Sequence, residues 1–257
     1  LNYEKINTHI VDWLSSYCEK AGLNGFVIGI SGGIDSAVTS TLCAQTGKKV
    51  LVVTMPIRQT SAESIRGAEH IENLKQRFPH VESAEINLTE TLEKLEGIFP
   101  HQTAINHLAM ANTRARLRMT TLYALGQTYG LLVAGTGNKI EDFGVGFFTK
   151  YGDGGVDVSP IADLTKTQVF QLAEHLEIVE SIQTARPTDG LWEDGRSDED
   201  QIGATYPELE WAMDFTGDES QITERQKEVL VIYRRLNRIN KHKMDPIPVC
   251  MIPQELR

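Results

Sequence analysis

Cysteine is scarce in this chain, long apolar runs are missing, and positive charge is outnumbered. Cys18, Cys43 and Cys250 are odd in number and far apart. That spacing excludes a structural zinc motif and a disulfide framework, and a reducing cytoplasm is the expected setting. No apolar run approaches the roughly 20 residues of a membrane span, and the start does not resemble a signal peptide, so no membrane association is expected. The chain begins at Leu1 rather than Met, so a residue or two is expected to precede it. Lys and Arg total 25 against 35 Asp and Glu, a net charge of -10. Nonspecific nucleic-acid binding draws on clustered cations, so a DNA or RNA partner is not expected. A nucleotide ligand would face an opposing overall field, and local cations, amide dipoles or a metal must then collect it.

What is present is ordinary globular composition. The 257 residues are 40% hydrophobic and 23% charged, enough for one sizeable core. Tyr3, Ile6, Ile10, Trp13, Leu14 and Tyr17 fall at helical spacing within residues 2–20. Strands are expected at 25–30, 49–55, 81–88 and 131–134, and helices at 34–46, from Ser61, over 102–129, from a Thr165 cap to about Leu176, and over 219–241. Residues 135–160 read as mostly loop and 186–205 as polar and turn-rich. Continuous apolar strands alternating with helices predict an α/β fold, a doubly wound parallel sheet with helices on both faces. No linker divides the chain, so one domain over 1–257 is expected. Ligands of such sheets sit at the carboxyl ends of the strands, which directs attention to the loops after Ile30 and Ala134.

The first of these loops reads "SGGIDS" over 31–36. Adjacent glycines free the backbone so that consecutive amides can line one concavity, Ser31 and Ser36 add hydroxyls, and the next helix directs its positive end at the same point. No lysine stands where a kinase or GTPase loop would carry one. Asp35 stands there, and beside a phosphate cluster a carboxylate makes sense as a magnesium ligand. The loop resembles the pyrophosphate-binding loop of the N-type ATP pyrophosphatases, which cleave ATP between its α- and β-phosphates. In that chemistry the β- and γ-phosphates leave together, whereas a kinase lysine follows a moving γ-phosphate.

Further segments narrow the resemblance: "NTRARLRM" (112–119), "LLVAGTGNKIED" (131–142), "FFTKYGDGGVDVSPIADLTKTQV" (147–169), "RPTDGLW" (186–192) and "KHKMDPIP" (241–248). In this order they closely resemble ammonia-dependent NAD synthetase over nearly the whole chain. The resemblance implies the adenine nucleotide α-hydrolase-like fold, a homodimer, and the conversion of nicotinic acid adenine dinucleotide (deamido-NAD), ATP and ammonia into NAD, AMP and pyrophosphate. By the same resemblance, Asp35 and Glu141 are magnesium ligands. Gly29, Ser31, Gly32, Gly33, Asp35, Ser36, Thr136, Lys166 and Thr188 contact ATP. Arg116, Lys150, Asp157, His242 and Lys243 contact deamido-NAD. Asp153 and Tyr123 belong to the ammonia site and, with Lys166, are the catalytic candidates. Helical geometry adds that Arg114 and Arg118 share a face while Arg116 points about 160° away, so the three cannot grip one ligand from one helix.

The implied mechanism has two steps, adenylation of the nicotinate carboxylate and displacement of AMP by ammonia. Residues 189–203 and 80–100 are expected to act as mobile covers. Glutamine-using relatives need a hydrolase domain with a catalytic cysteine, and the resemblance leaves no room for one, which points to free ammonia. Two rivals remain. Another ATP pyrophosphatase, such as a thiolating or GMP-forming enzyme, would call for paired cysteines or a different dimerisation region. A non-catalytic nucleotide sensor would have no need to keep Asp35, Glu141 and Lys166 together.

Overall fold

The computed structural model describes residues 1–58, 61–188 and 197–257. Helix α1 (Tyr3–Ala21) leads to β1 (Gly25–Gly29), α2 (Ile34–Gln45), β2 (Lys49–Thr54), α3 (Ser61–Arg77), β3 (Val81–Glu85) and α4 (Thr89–Ile98). A short α5 (His101–Ala104) precedes the long α6 (His107–Tyr129) and β4 (Leu131–Val133). Beyond a π-helical turn, Ile140–Val145, come α7 (Lys166–His175), α8 (Glu180–Gln183), α9 (Asp198–Ile202), α10 (Tyr206–Asp214) and α11 (Glu224–Met244).

The four strands are all parallel, in the order β3-β2-β1-β4. Period-two alternation divides their side chains between two helical layers. Phe26, Ile28, Val50 and Val52 face a core completed by α1, α2 and α7, through residues such as Leu14, Leu42 and Leu172. Val27, Leu51 and Val53 face the opposite core, closed by Leu92 of α4 and by Met110, Met119 and Leu122 of α6. Strands buried on both faces read as continuous apolar runs, which is why the doubly wound α/β class could be expected from the sequence. A third cluster lies beyond the sheet, where Ile140 and Val145 of the π-turn pack with Leu209 of α10 and Leu230 of α11. Among the described residues no helix is long and apolar enough to cross a membrane.

Chain order places β2 on one side of β1 and β4 on the other, so the sheet reverses direction of growth at β1. A crevice opens above such a point, between the loops that follow β1 and β4. Helix α2 is the rigid floor of this arrangement: Ile34 and every residue from Ser36 to Ala44 are buried.

Several expectations need correction. The helix expected from Gln102 is interrupted, because the Asn106 side chain accepts a hydrogen bond from Ala109 N and starts α6 afresh. The last helix begins at Glu224 rather than Glu219, where Thr223 and Gln226 form a reciprocal capping box. Residues 135–160 are mostly loop, as expected, and hold the π-turn within them. The segment 80–100 is no cover, since it forms β3 and α4 and buries Leu88 and Leu92 in the core. Of the other expected cover, residues 189–196 lie outside the described residues, and 198–202 form α9, capped by Ser197 and Asp200.

One buried polar pair gives the fold a pH dependence. His70 of α3 is fully buried, with Nε2 2.9 Å from Ser40 Oγ of α2 and Nδ1 without a hydrogen-bond partner among the described residues. Burial, with help from Arg77, lowers its pKa from 6.5 to about 4. Between these values the unfolded chain binds a proton that the folded chain refuses, so this contribution is complete above pH 6.5 and is lost as pH falls toward 4. A shift of this size corresponds to about 3 kcal/mol. Urea unfolding of wild type and His70→Gln at pH 7, 5 and 4 is expected to show a smaller loss on acidification in the variant. Equal losses would reject the buried neutral imidazole.

Candidate active site

The loop after β1 is wired before any ligand arrives. Gly33 N donates to Ser31 Oγ at 3.1 Å, Ser36 Oγ donates to Gly33 O at 2.9 Å, and the two serine hydroxyls lie 3.1 Å apart. Gly32 has φ 83°, and a Cβ there would stand 2.3 Å from Glu63 O, so both conformation and space demand glycine. No side chain caps the N-terminus of α2. Its first amides and the positive end of its dipole therefore face the crevice, a ready anion site.

The crevice encloses about 710 Å³. Gly29, Ser31, Gly32, Gly33, Asp35 and Ser36 line it from the β1 side. Thr136 and Glu141 line it from the β4 side, with Lys166 and Thr188 between. At its base Lys166, which is 3% exposed, binds two carboxylates, with Nζ 2.6 Å from Asp35 Oδ2 and 3.0 Å from Glu141 Oε1. Burial works against the charged ammonium, but Asp35 and Glu141 outweigh it and hold the lysine protonated, above its ordinary range. Asp35 is pushed upward by burial, which Lys166 opposes and Glu141 reinforces. The donor set suits a divalent cation, because two carboxylate oxygens already converge on one positive centre. Among the described residues no three His, Cys, Asp or Glu side chains form a self-sufficient metal cage. Magnesium is commonly held by one or two carboxylates plus substrate phosphates and water.

Cations line the opposite wall. Arg116, Lys150, His242 and Lys243 all reach the crevice. Arg116 Nε donates to Lys150 O at 3.2 Å, Lys150 Nζ to His242 O at 2.7 Å, and Lys243 Nζ to Phe148 O at 2.6 Å and to Gly146 O. All three rest on backbone carbonyls, and among the described residues none forms a salt bridge to a carboxylate. Their charge remains available to an anionic ligand. Asp153 also lines the crevice, with Oδ1 accepting from Thr149 N at 3.0 Å; the residue is exposed at the surface, and desolvation of its carboxyl by the surrounding wall raises it to about 6.

Tyr123 and Asp157 stand apart from this wall. Tyr123 OH donates to Asp157 Oδ1 at 3.0 Å, and Asp157 Oδ2 accepts from Val133 N at 2.8 Å. Both oxygens of Asp157 are thus engaged at the edge of β4, and neither residue lines the crevice. Burial and the bond to Asp157 raise Tyr123 to about 12, so it keeps its proton.

Three residues at the site escaped the sequence reading. Asn138 Nδ2 donates to Asp35 Oδ1 at 3.3 Å, while its Oδ1 accepts from Ile140 N and Glu141 N at 3.1 and 3.2 Å, so one amide ties the Asp35 carboxylate to the backbone that carries Glu141. Tyr206 OH donates to Glu141 Oε1 at 2.5 Å, and its ring lies under Lys166 Nζ at 4.8 Å. Asp142 sits against Gly137, where a Cβ would stand 2.2 Å from Asp142 Oδ2. Burial and three neighbouring carboxylates push Asp142 to about 8, so at neutral pH it carries a proton and relieves the negative charge around it. The quoted "GTGNK" contained Asn138 but no cue to its partners. Tyr206 follows Thr205, which forms a capping box with Glu208 at the start of α10, a local pattern that carries no cue to the Glu141 contact.

Known proteins sharpen these observations. The family model described as NAD synthase matches residues 6–245. An NH(3)-dependent NAD(+) synthetase of Alkaliphilus metalliredigens is 40% identical over 251 residues, covering 93% of this chain and 96% of the relative. Its counterpart in Carboxydothermus hydrogenoformans is 37% identical over 248 residues, covering 95% and 96%. Among solved structures, the NMN synthetase of Francisella tularensis superposes with a TM-score of 0.86 at 32% identity, covering 99% of each chain.

Tyr206→Phe tests the support of Glu141. Loss of a hydrogen bond behind a metal-binding carboxylate commonly costs about 10–100-fold in metal affinity. If Glu141 holds magnesium, the variant is expected to keep its fold by circular dichroism and to need at least about tenfold more Mg²⁺ for half-maximal turnover. An unchanged Mg²⁺ requirement would show that the tyrosine does not position Glu141.

Proposed function

The chain belongs to the NAD synthase family, and from that membership we infer that it amidates deamido-NAD with ammonia at the expense of ATP, giving NAD, AMP and pyrophosphate. The observation that carries the reading to this chain's own residues is the convergence of Asp35, Glu141 and Lys166 beneath an uncapped helix N-terminus. A carboxylate oxygen is a poor leaving group, so amide formation needs prior activation. In the first step a nicotinate carboxylate oxygen attacks the α-phosphorus of ATP, the bond to the β-phosphate bridging oxygen breaks, and pyrophosphate leaves. In the second, ammonia nitrogen attacks the acyl carbon and the carbon–oxygen bond to AMP breaks.

The protein supplies position and charge. Gly32, Gly33 and the first amides of α2 receive the β- and γ-phosphates, with Ser31 and Ser36 as hydroxyl donors. Thr136 and Thr188 border the nucleotide, and Gly29 leaves room for it at the end of β1. Arg116, Lys150, His242 and Lys243 meet the acidic groups of the acceptor. Asp153 holds ammonium, takes one proton, and releases the nucleophile. Asp35 and Glu141 would hold magnesium, which when bound neutralises charge on the departing pyrophosphate. Tyr123 and Asp157, bonded to each other outside the crevice, would reach a ligand from the protein edge. There a partner subunit of a homodimer would complete the site, and half-exposed side chains such as Tyr123 and Tyr129 on α6 suit such a contact. Three free cysteines suit a cytoplasmic setting, and we read 1–257 as one synthetase domain.

The similarity to a protein named NMN synthetase favours a second reading, in which nicotinic acid mononucleotide is the acceptor. The reacting carboxylate is the same in both, so the groups at the base of the crevice would serve either.

Incubation with ATP, Mg²⁺, ammonium and each acceptor, followed by mass detection of product and AMP, tests both readings. Deamido-NAD is expected to yield NAD with equimolar AMP, and omission of any acceptor to suppress AMP. Faster turnover with the mononucleotide would transfer the assignment to it, and no AMP with either would leave a sensor. Asp35→Ala is expected to lower AMP formation by about a hundred- to a thousandfold in a folded protein. As an ionised base, Asp153 should make turnover fall as pH drops through about 6. Asp153→Asn should be slow and lack that limb, and a wild-type profile in the variant would remove Asp153 from the proton path.

A further inference from the structure

We propose that Lys166 is an internal counter-cation that occupies the metal position until magnesium arrives together with ATP, so that free magnesium is kept out of the nucleotide-free enzyme. The inference rests on the reading of Asp35 and Glu141 as the magnesium ligands.

A lysine that served phosphate alone would reach into the open crevice. Lys166 instead turns down between the two carboxylates, 2.6 and 3.0 Å away, with its charge over the Tyr206 ring at 4.8 Å. Its side chain is 3% exposed, and those of Asp35 and Glu141 are 18% and 15% exposed. The oxygens that would receive the metal are the ones the ammonium already holds. Asn138 donates to the other oxygen of Asp35, Oδ1, and Tyr206 donates to the same Glu141 Oε1 that the ammonium holds.

Two partly buried carboxylates facing each other favour a cation between them, and the buried ammonium that pairs with them is costly to strip of its partners. A metal ion arriving alone must displace the ammonium from the two carboxylates it holds at 2.6 and 3.0 Å, while Asp198, which also acts on Lys166, continues to favour its charge. A metal ion arriving on a triphosphate brings the replacement partner with it, since Lys166 also lines the crevice that the phosphates would enter. Lys166 then exchanges carboxylate oxygens for phosphate oxygens as the metal takes the former. Its place at the first position of α7, where a cation opposes the helix dipole, weakens its hold on the resting arrangement and eases that exchange.

Mn²⁺ binding, followed by electron paramagnetic resonance and calorimetry without turnover, tests this. Nucleotide-free wild type is expected to bind Mn²⁺ at least tenfold more weakly than nucleotide-free Lys166→Met, and Asp35→Asn in the Lys166→Met background should abolish the gain. Mn²⁺ should raise the melting temperature of Lys166→Met and leave that of wild type unchanged. Removing a buried ammonium can prevent folding, so a second measurement uses wild type alone: Mn²⁺ should bind only when a non-hydrolysable ATP analogue is present. Equal Mn²⁺ affinity with and without Lys166, or tight binding to nucleotide-free wild type, would overturn the counter-cation role. Absence of Mn²⁺ from both Lys166→Met and the analogue complex would instead overturn the metal reading beneath it, a failure that the turnover assay identifies separately.

Discussion

A single buried ammonium shared by two carboxylates is the constraint on which the site depends. Asp35 lies in the first turn of α2, Glu141 in the π-turn after β4, and Lys166 at the head of α7. Helix α2 lies far from the other two in the chain, and the Lys166 contacts join all three at one point above the sheet. Burying such a cluster is a doubtful route to stability, because desolvation offsets much of the Coulomb attraction. Well-packed apolar side chains would hold the same elements together at least as well. Retention of three charges there is easier to understand as preparation for a ligand that itself carries charges of both signs, a polyphosphate with its metal.

The crevice resolves the conflict posed by a net charge of -10 through separation of sign. Carboxylates gather at the base, where a metal would sit. Cations gather on the wall formed by α6, α11 and the segment 146–150. Had Arg116, Lys150 and Lys243 been neutralised by acids, the wall would offer little to an anion. Their anchoring to backbone carbonyls orients them and leaves their charge intact. The raised carboxyl of Asp142 serves the same separation, since a protonated acid keeps the base from becoming too negative in the absence of a metal. Electrostatic preorganisation of this kind is realised in the fold itself and needs no rearrangement at the moment of reaction.

Much of the sheet was legible because its signals are local. Apolar runs at 25–30 and 49–55 and the "SGGIDS" loop are statements about neighbours in sequence, and the crevice at β1 followed from them. Helix starts were less legible, since Asn106 and Thr223 restart helices through side-chain bonds that compete with a continuing helical pattern. The site was legible where a motif carried it, as with Asp35 and Lys166. Asn138 and Tyr206 were not legible, because their roles lie in contacts 103 and 65 residues away along the chain. The proposed cover at 80–100 failed for a related reason. The segment is fastened to the core by Val81, Leu88 and Leu92, which find their partners on elements distant in the chain.

The π-turn shows how a distant helix sets the geometry of the reacting end. A π-helical turn is wider and less favourable than an α-turn, and it persists where surrounding contacts hold it. Here α11 supplies them: Asn237 Nδ2 donates to Gly144 O at 2.7 Å, Asn240 Nδ2 to Val145 O at 2.8 Å, and Lys243 Nζ to Gly146 O. These carbonyls belong to the end of the turn, where backbone acceptors lack intrahelical partners. At its start Asn138 binds the Ile140 and Glu141 amides. Held at both ends, the turn presents Glu141 to Lys166 while Ile140 and Val145 anchor it in the third apolar cluster. The same helix continues into His242 and Lys243 on the cationic wall. One rigid element thus fixes the carboxylate at the base and the cations above it, which couples the two ends of the crevice.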